Sequence, residues 1–375
     1  ASSTKWNTLT PPSQEIVSKL DGGLTITAYV NILGPNYAMF SFPDFIQRNR
    51  EQFKLYERFK PEMKLKVVYY YDTITLADGV AGENFAARLA SRNETVHKAA
   101  KKMCELFQLD SVRRVLSPEK VRELTDLEGE RTFAWELVRE SGERTWLRTY
   151  DDPMNPFPGE AEISAAMKRM TLDVPKVGFV EGYGMRSIYD TRPRGYHFFA
   201  YKKDFRQALV NQGFETVEME QGISEDVNIL TIADMREPFT ENEEQVLAEY
   251  IARGGNLYIL GEPRRREVMN PLLNKYFGVE LLEGTLVQYR LEWLQPDILN
   301  CMITPMAREL SYYFGLASGV MLPTAAGLEQ VADRGFKVIP VLVSDTLNIQ
   351  RSEQRSYAVW NEMGSLDYVE ERLTI

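Results

Sequence analysis

Three consecutive arginines are the residues of this sequence with the clearest capacity to bind a ligand. Arg264, Arg265 and Arg266 follow an apolar segment and Glu262, at a point where a helix is expected to begin. The amino-terminal end of a helix disfavours each added cation by roughly 0.3–1 kcal/mol unless an anion lies nearby. The cluster therefore indicates an anionic ligand, an acidic partner surface, or pairing with the chain's own acids. The acids available for pairing are Glu262, Glu267 and Asp234.

A second candidate is a glycine-flanked turn after the predicted strand 176–180. Gly182 and Gly184 surround Tyr183, but residue 187 is Ser, so the full phosphate-binding pattern G-x-G-x-x-G is not present. No Walker A sequence occurs either, which argues against ATPase activity in this chain. We predict a ligand-binding edge that carries Glu181, Tyr183, Glu262, Arg264 and Arg265.

The residues that most often perform catalysis or bind metals are few and scattered. His97 and His197 have no metal-ligand spacing, and no EF-hand loop or G-x-S-x-G motif occurs. A glutaminase-like enzyme would need a nucleophile after the strand 257–260, where none is found. We predict no catalytic residues, no metal and no cofactor. A hydrolase that uses Cys301 is the least favoured alternative, and whether Cys104 pairs with Cys301 stays open.

The composition is that of a globular protein with an acidic surface. The 375 residues carry a net charge of −10, which argues against nucleic acid as a partner because phosphates require a basic face. No run approaches the roughly 18 apolar residues of a membrane span. The length favours two domains over one.

The clearest structural signal is a strand–helix–strand unit. Apolar residues 227–232 predict a buried strand, and Thr240 with Glu243 has the spacing of a capping box. Gly254 and the glycine after it predict the end of the helix, and residues 257–260 predict a second buried strand. The unit predicts a parallel sheet with a right-handed crossover. The predicted apolar face of the helix consists of Val246, Leu247, Tyr250 and Ile251.

Residues 1–150 predict a separate domain of thioredoxin-like shape. A strand 24–32, a helix 43–59 and a strand 65–71 form another such unit, and a long helix 83–109 follows. The sequence holds no C-x-x-C motif, so a redox role is not expected. The remaining signal in this domain is a hairpin formed by residues 133–138 and 145–150.

Residues 151–159 contain three prolines and a glycine and are predicted to link the two domains. For residues 160–375 we predict a flavodoxin- or glutaminase-like α/β/α sandwich with a mainly parallel sheet. Ligands of such sheets bind at the carboxyl ends of the strands, here residues 181–184, 222–225 or 234–237, and 261–266. The other predicted elements of this domain are helices 160–170, 198–213 and 264–277 and strands 214–219 and 337–344.

Several aromatic groups leave a binding function open. Residues 69–71, 196–201 and 312–313 are rich in tyrosine, and such rings form platforms for sugars or peptides. Core and inter-domain packing is the alternative interpretation. A glycan or anionic small-molecule binding module is therefore the alternative function.

The whole pattern resembles the GldG-like, gliding-motility-type auxiliary components of ABC transporters. Residues 8–20 resemble the segment that follows that family's membrane anchor, and residues 24–30 resemble its first strand. Residues 238–260 resemble its most recognisable block, and residues 337–344 resemble a later strand. The resemblance implies a non-catalytic substrate-binding or scaffold component that associates with a permease and an ATPase. It also implies a periplasmic location and membrane segments outside these 375 residues.

Overall fold

A computed structural model shows a mixed α/β protein with parallel and antiparallel sheets. It divides into two compact units, Ala1–Lys176 with Ile188–Thr216, and Val177–Ser187 with Val217–Ile375. For 43–49, 354–360 and 366–372, only the backbone is described. The structure describes residues 8–34, 43–73, 89, 91–106, 109, 115–127, 133–152, 154–192, 195–219, 223–224, 226–286, 298–310, 319–344, 354–360 and 366–372. The domain bounds proposed from the sequence stay a prediction.

The first unit is built on a four-stranded sheet in the order β2-β1-β3-β4. β1 (Leu24–Asn31) and β2 (Lys64–Tyr70) are parallel and flank the helix Pro43–Glu57 in the chain. β3 (Phe133–Arg139) is antiparallel to β1 and to β4 (Arg144–Arg148). The predicted strand–helix–strand unit and the predicted hairpin are therefore confirmed, but the thioredoxin-like layout is not.

The other helices of the first unit surround a core in which Trp135 is fully buried. The predicted helix 83–109 is described as a helix from Val96 to Leu106, and most of its earlier part lies outside the described residues. The helices besides Pro43–Glu57 are Pro11–Ser18, Val96–Leu106, Pro118–Leu124, Glu160–Arg169 and His197–Ala200.

The predicted helix 198–213 is wrong beyond its first turn. The helix His197–Ala200 gives way to turns and a short 3₁₀ segment, Leu209–Asn211. Asn211 Nδ2 donates to the backbone carbonyls of Lys203 and Phe205 at 2.9 and 2.8 Å. These carbonyls would accept backbone N–H groups in an α-helix, so the side-chain amide competes with helix formation.

The second unit contains a sheet in the order β6-β5-β7-β8. β7 (Ile229–Ala233) lies between β5 (Lys176–Val180) and β8 (Asn256–Leu260), parallel to both. The predicted parallel pair is confirmed. The prediction that both strands are buried is wrong for β8. This strand lies at the edge of the sheet and has a neighbouring strand on one side only. Tyr258 of β8 is 43% exposed, whereas Leu230 of β7 is fully buried.

The helix Glu241–Ala252 joins β7 to β8 with the predicted capping box. The backbone N–H of Thr240 donates to Glu243 Oε2 at 2.9 Å, and the N–H of Glu243 reaches Thr240 Oγ1 at 3.5 Å. Gly254 has φ +82°, the left-handed conformation that ends the helix. The predicted apolar face is only partly right. Leu247 and Tyr250 are buried, but Val246 is 40% exposed.

We expect Thr240→Ala to lower the free energy of unfolding of this helix by about 1 kcal/mol, because the backbone N–H of Glu243 loses its side-chain acceptor. Faster amide hydrogen exchange in the first turn would report the loss. Thr240→Ser keeps the hydroxyl and should preserve the wild-type exchange rate. Equal exchange in the alanine and serine variants would contradict the assigned cap.

Another helix, Arg266–Phe277, follows β8 and ends at Gly278, whose φ is +68°. Three smaller groups of strands complete the described chain, in the orders β12-β11-β14, β13-β9 and β10-β15-β16. A short helix, Pro305–Leu310, follows β11. The strands are β6 (Glu215–Met219), β9 (Val279–Leu281), β10 (Thr285–Leu286), β11 (Ile298–Ile303), β12 (Val320–Pro323), β13 (Leu328–Gln330), β14 (Leu342–Ser344), β15 (Gln354–Trp360) and β16 (Leu366–Arg372).

The predicted buried strand 337–344 is wrong for most of its length. Only Leu342–Ser344 pairs, antiparallel to β11, and Val338 and Val343 are 40% and 41% exposed. Pro340 has no N–H to donate to a ladder, so regular pairing is disfavoured at that position. Its carbonyl instead accepts a hydrogen bond from Thr304 Oγ1 at 2.6 Å.

Candidate functional site

The candidate site is the carboxyl edge of the parallel sheet in the second unit. Residues 181–187 follow β5, residues 234–238 follow β7, and residues 261–265 follow β8. The carboxyl ends of parallel strands lie at one edge of a sheet, which brings these loops together. Residues 222–225 were the predicted alternative to 234–237, and Gly222 and Glu225 lie outside the described residues.

Arg186 joins the three loops by contacting two carboxylates. Its Nη2 lies 3.0 Å from Asp234 Oδ2 and 3.4 Å from Glu262 Oε2. Asp234 and Glu262 are only 7% and 9% exposed, so their charges need this partner. The backbone N–H of Asp234 also donates to the carbonyl of Leu260 at 2.8 Å, which ties the ends of β7 and β8. The result is a cluster in which one guanidinium joins two nearly buried carboxylates.

The loop after β5 is held in an unusual conformation. Gly182, Tyr183 and Gly184 all have positive φ, and for tyrosine, at +53°, this conformation is strained. Two contacts hold it: the Tyr183 ring packs edge-on against Phe239 at 4.8 Å, and the Tyr183 carbonyl accepts the N–H of Arg236 at 2.8 Å. A Cβ at Gly184 would lie 2.8 Å from the Arg236 side chain, so a larger residue would displace that arginine.

The five residues predicted from the sequence take different places at this edge. Glu262 lies in the cluster, and Arg264 Nε lies 3.9 Å from Glu262 Oε1 on its exposed side. Tyr183 lies in the strained loop, whereas the Glu181 side chain is exposed. Arg265 donates its backbone N–H to the Glu262 carbonyl at 2.8 Å, and its Nε is buried with no hydrogen-bond partner in the described part of the chain.

Sequence reasoning missed Arg186, which contacts more of the site than any residue it selected. The available signal was an arginine two residues after a G-x-G turn at a strand end. Arg186 and Arg264 both pair with Glu262, and Arg266 Nη2 lies 3.6 Å from Glu283 Oε1. The sequence left open whether the arginines pair with the chain's own acids or form a strongly cationic pocket. This arrangement favours pairing.

We expect Arg186→Ala to lower the free energy of unfolding of the second unit by about 1.5–3 kcal/mol, because two nearly buried carboxylates lose a charged donor. Chemical denaturation followed by circular dichroism would measure it. Lys275→Ala is the matched control: its pair with Glu244 is on the surface of the same unit, where the lysine is 59% exposed, and it should cost less than about 1 kcal/mol. Equal losses would contradict the role given to Arg186.

Neither cysteine is part of these loops. Cys104 and Cys301 are both free and buried, and burial raises the pKa of each thiol. A raised pKa disfavours the thiolate that a cysteine nucleophile needs. Among the described residues, no group of three or more His, Cys, Asp or Glu side chains is arranged to hold a metal ion. In the same residues, no helix is both long and apolar enough to span a membrane.

The candidate site lies within a segment of the chain that matches a known protein family. Residues 174–288 match the family model described as ABC-type uncharacterized transport system. The segment runs from just before β5 to just after β10 and includes all five predicted ligand-binding residues and Arg186. It supports the family resemblance seen in the sequence. No curated protein matches the chain.

A solved structure, the mmIFT52 N-terminal domain, is also similar to this chain. The two share 19% identity over 52% of this chain and 84% of that chain, with a TM-score of 0.34. A similarity of that size does not bear on function.

Proposed function

We propose that this protein is an auxiliary, non-catalytic component of an ABC-type transport system. The observation that carries the proposal is the match of residues 174–288 to the family of such systems. The segment contains the whole carboxyl edge of the parallel sheet, which makes that edge the first surface to test for contacts with transporter subunits.

The chemistry of the edge supports a binding or scaffold role. Asp234 and Glu262 are held by Arg186, and the strained loop at Tyr183 is pinned by Phe239 and the backbone of residue 236. Groups fixed in this way form a preorganised surface, which reduces the entropic cost of binding a partner. Such a surface suits recognition of a protein subunit or a transported substrate.

The partners that we propose are the permease and the ATPase of the same system. We further propose, from the GldG-like resemblance, that the domain works on the extracytoplasmic side, held there by membrane segments outside the 375 residues. An ABC permease spans the membrane, so a subunit on that side contacts the permease directly and the ATPase through it.

The test is affinity purification of the tagged full-length protein from membranes of its own host, followed by mass spectrometry. We expect enrichment of an ABC permease and its ATPase. Arg264→Glu reverses a charge at the exposed side of the edge and should reduce their recovery. Arg122→Glu, a reversal on the helix Pro118–Leu124 of the first unit, is the matched control. A cytosolic protein without ABC subunits would overturn the proposal.

An anionic small molecule is the second candidate ligand, and a single observation favours it. Arg265 Nε is buried and has no hydrogen-bond partner among the residues that the structure describes, and a buried unpaired donor is costly. A thermal-shift screen with inorganic phosphate, sulfate and sugar phosphates tests this candidate. We expect a stabilising shift that disappears in Arg265→Ala. No shift with any of these anions would rule it out.

A further inference from the structure

A polar groove of about 690 Å³ runs along the helix Arg266–Phe277 of the second unit. Side chains four residues apart lie one above another on a helix, so the floor consists of two parallel rows. One row is Arg266, Asn270 and Asn274, and the other is Glu267, Pro271 and Lys275. The facing wall is formed by Glu280 and Arg334. A volume of this size is typical of small-molecule sites.

Some of these polar groups are already committed to other contacts. The Asn270 carboxamide is occupied by both backbone groups of Leu281, donating to its carbonyl at 3.1 Å and accepting its N–H at 2.9 Å. Lys275 contacts Glu244, and this hydrogen bond raises the pKa of Lys275 and lowers that of Glu244. Arg266 pairs with Glu283. These groups shape the groove, but other residues carry the free binding capacity.

At one end of the groove, Glu267 presents two acceptors, its side-chain carboxylate and its backbone carbonyl. Pro271 lies inside the helix and has no N–H, so the Glu267 carbonyl lacks its α-helical donor. The Glu267 carboxylate is exposed, and no ion pair joins it to another residue in the described part of the chain. An exposed carboxylate is suited to a group with several N–H donors and a positive charge, and the carbonyl is a second acceptor on the same residue.

The other end presents one donor and one acceptor on either side of Asn274. Arg334 Nε donates to the Asn274 carbonyl at 3.0 Å, and its Nη2 donates to Asn274 Oδ1 at 3.3 Å. Asn274 Nδ2 donates to Glu280 Oε1 at 2.6 Å. Arg334 retains further N–H donors and Glu280 retains lone pairs. A peptide group, with one carbonyl and one N–H, matches this pair.

The distance between the two ends sets the size of the ligand. Glu267 and Asn274 are seven residues apart, about 10 Å along a helix that rises 1.5 Å per residue. Three extended residues of a peptide span about the same length, at 3.3–3.6 Å each. We propose that this groove binds the free amino terminus of a peptide. Its ammonium group lies at Glu267, and the backbone about three residues on lies between Arg334 and Glu280. The inference does not depend on the proposed transport role.

The test is a titration of the whole protein with trialanine, followed through the side-chain amide NMR signals of Asn274. We expect saturable binding, and at least a tenfold loss of affinity when the trialanine is N-acetylated, as for a lost charge-assisted hydrogen bond. A longer peptide that begins with the same three residues separates two sources of the ligand. Equal or tighter binding of the longer peptide indicates a protein amino terminus. Preference for trialanine indicates a free short peptide.

Two substitutions test the assigned acceptors. Glu267→Gln keeps the shape and removes the charge, so we expect at least a tenfold weaker affinity for trialanine. Pro271→Ala restores the N–H that the Glu267 carbonyl lacks, so trialanine should bind several-fold more weakly although the helix becomes more stable. Glu309→Gln, on another helix of the second unit, is the matched control and should bind as wild type does. Equal binding of acetylated trialanine, unchanged affinity in Glu267→Gln, or no saturable binding would overturn the proposal.

Discussion

Trp135→Ala is expected to lower the free energy of unfolding of the first unit by about 3–5 kcal/mol. The indole is fully buried on β3 and packs against Phe133 at 4.3 Å between ring centroids. Phe53 and Phe157 contact it edge-on, each at 6.4 Å. The substitution removes a large apolar surface and leaves a cavity that close-packed rings cannot fill by small movements. Hydrogen exchange at the amides of β1 and β3 would measure the loss locally.

Trp146→Ala is the matched control for this experiment. Trp146 lies on the other strand of the same hairpin, is only half-buried, and contacts Tyr29 at 6.1 Å between ring centroids. We expect a loss of roughly 1–2 kcal/mol, in keeping with a side chain that is partly in water. If Trp135→Ala does not fold, Trp135→Phe replaces it in the experiment, and we expect that variant to fold. Similar losses for the two alanine variants would contradict the assigned centre of the core.

Arg206→Ala is expected to cost the first unit about 3–5 kcal/mol, because it leaves a buried carboxylate without its cation. Arg206 Nη1 donates to Glu162 Oε2 at 2.7 Å, and both side chains are nearly buried. Arg206 Nη2 donates to the carbonyls of Asn155 and Phe157 at 2.5 and 2.7 Å. The guanidinium also lies 4.6 Å from the centre of the Tyr150 ring. Urea denaturation followed by circular dichroism would measure the cost.

Two further variants separate charge from geometry at this site. Arg206→Lys keeps the charge but loses the planar fork, so it should recover only part of the stability. Glu162→Gln with Arg206→Ala removes both charges, so the double variant should be less destabilised than the sum of the single variants. Additive losses in this double-mutant cycle would show that the two side chains do not act as a pair.

The contacts of Arg206 also change the interpretation of the proline-rich segment 151–159. Composition alone predicts a linker there, because prolines and a glycine resist regular structure. In the folded chain, Arg206 holds two carbonyls of this segment, and the Tyr150 N–H donates to the Pro156 carbonyl at 2.9 Å. A segment without helix or strand is thus ordered by a side chain about fifty residues away, which local composition does not reveal.

The candidate site shows the same limit. The sequence places Glu262 and the arginines after one strand and Tyr183 after another. Arg186 bridges Asp234 and Glu262 across 48 and 76 residues of chain, and no local spacing encodes such a contact. Arg186, which joins the three loops, was therefore absent from the predicted set, and Glu262, one of its two partners, was in it.

What the sequence determined by itself is the local structure that short-range signals specify. The capping box at Thr240, the left-handed glycine at 254 and the parallel pairing of β7 with β8 follow from contacts within one strand–helix–strand unit. The tertiary structure alone decided that β8 lies at an edge and that Arg186 pairs with Asp234 and Glu262. The reason is physical: caps and turn glycines act over a few residues, whereas burial and ion pairing depend on groups that meet only when distant parts of the chain pack together.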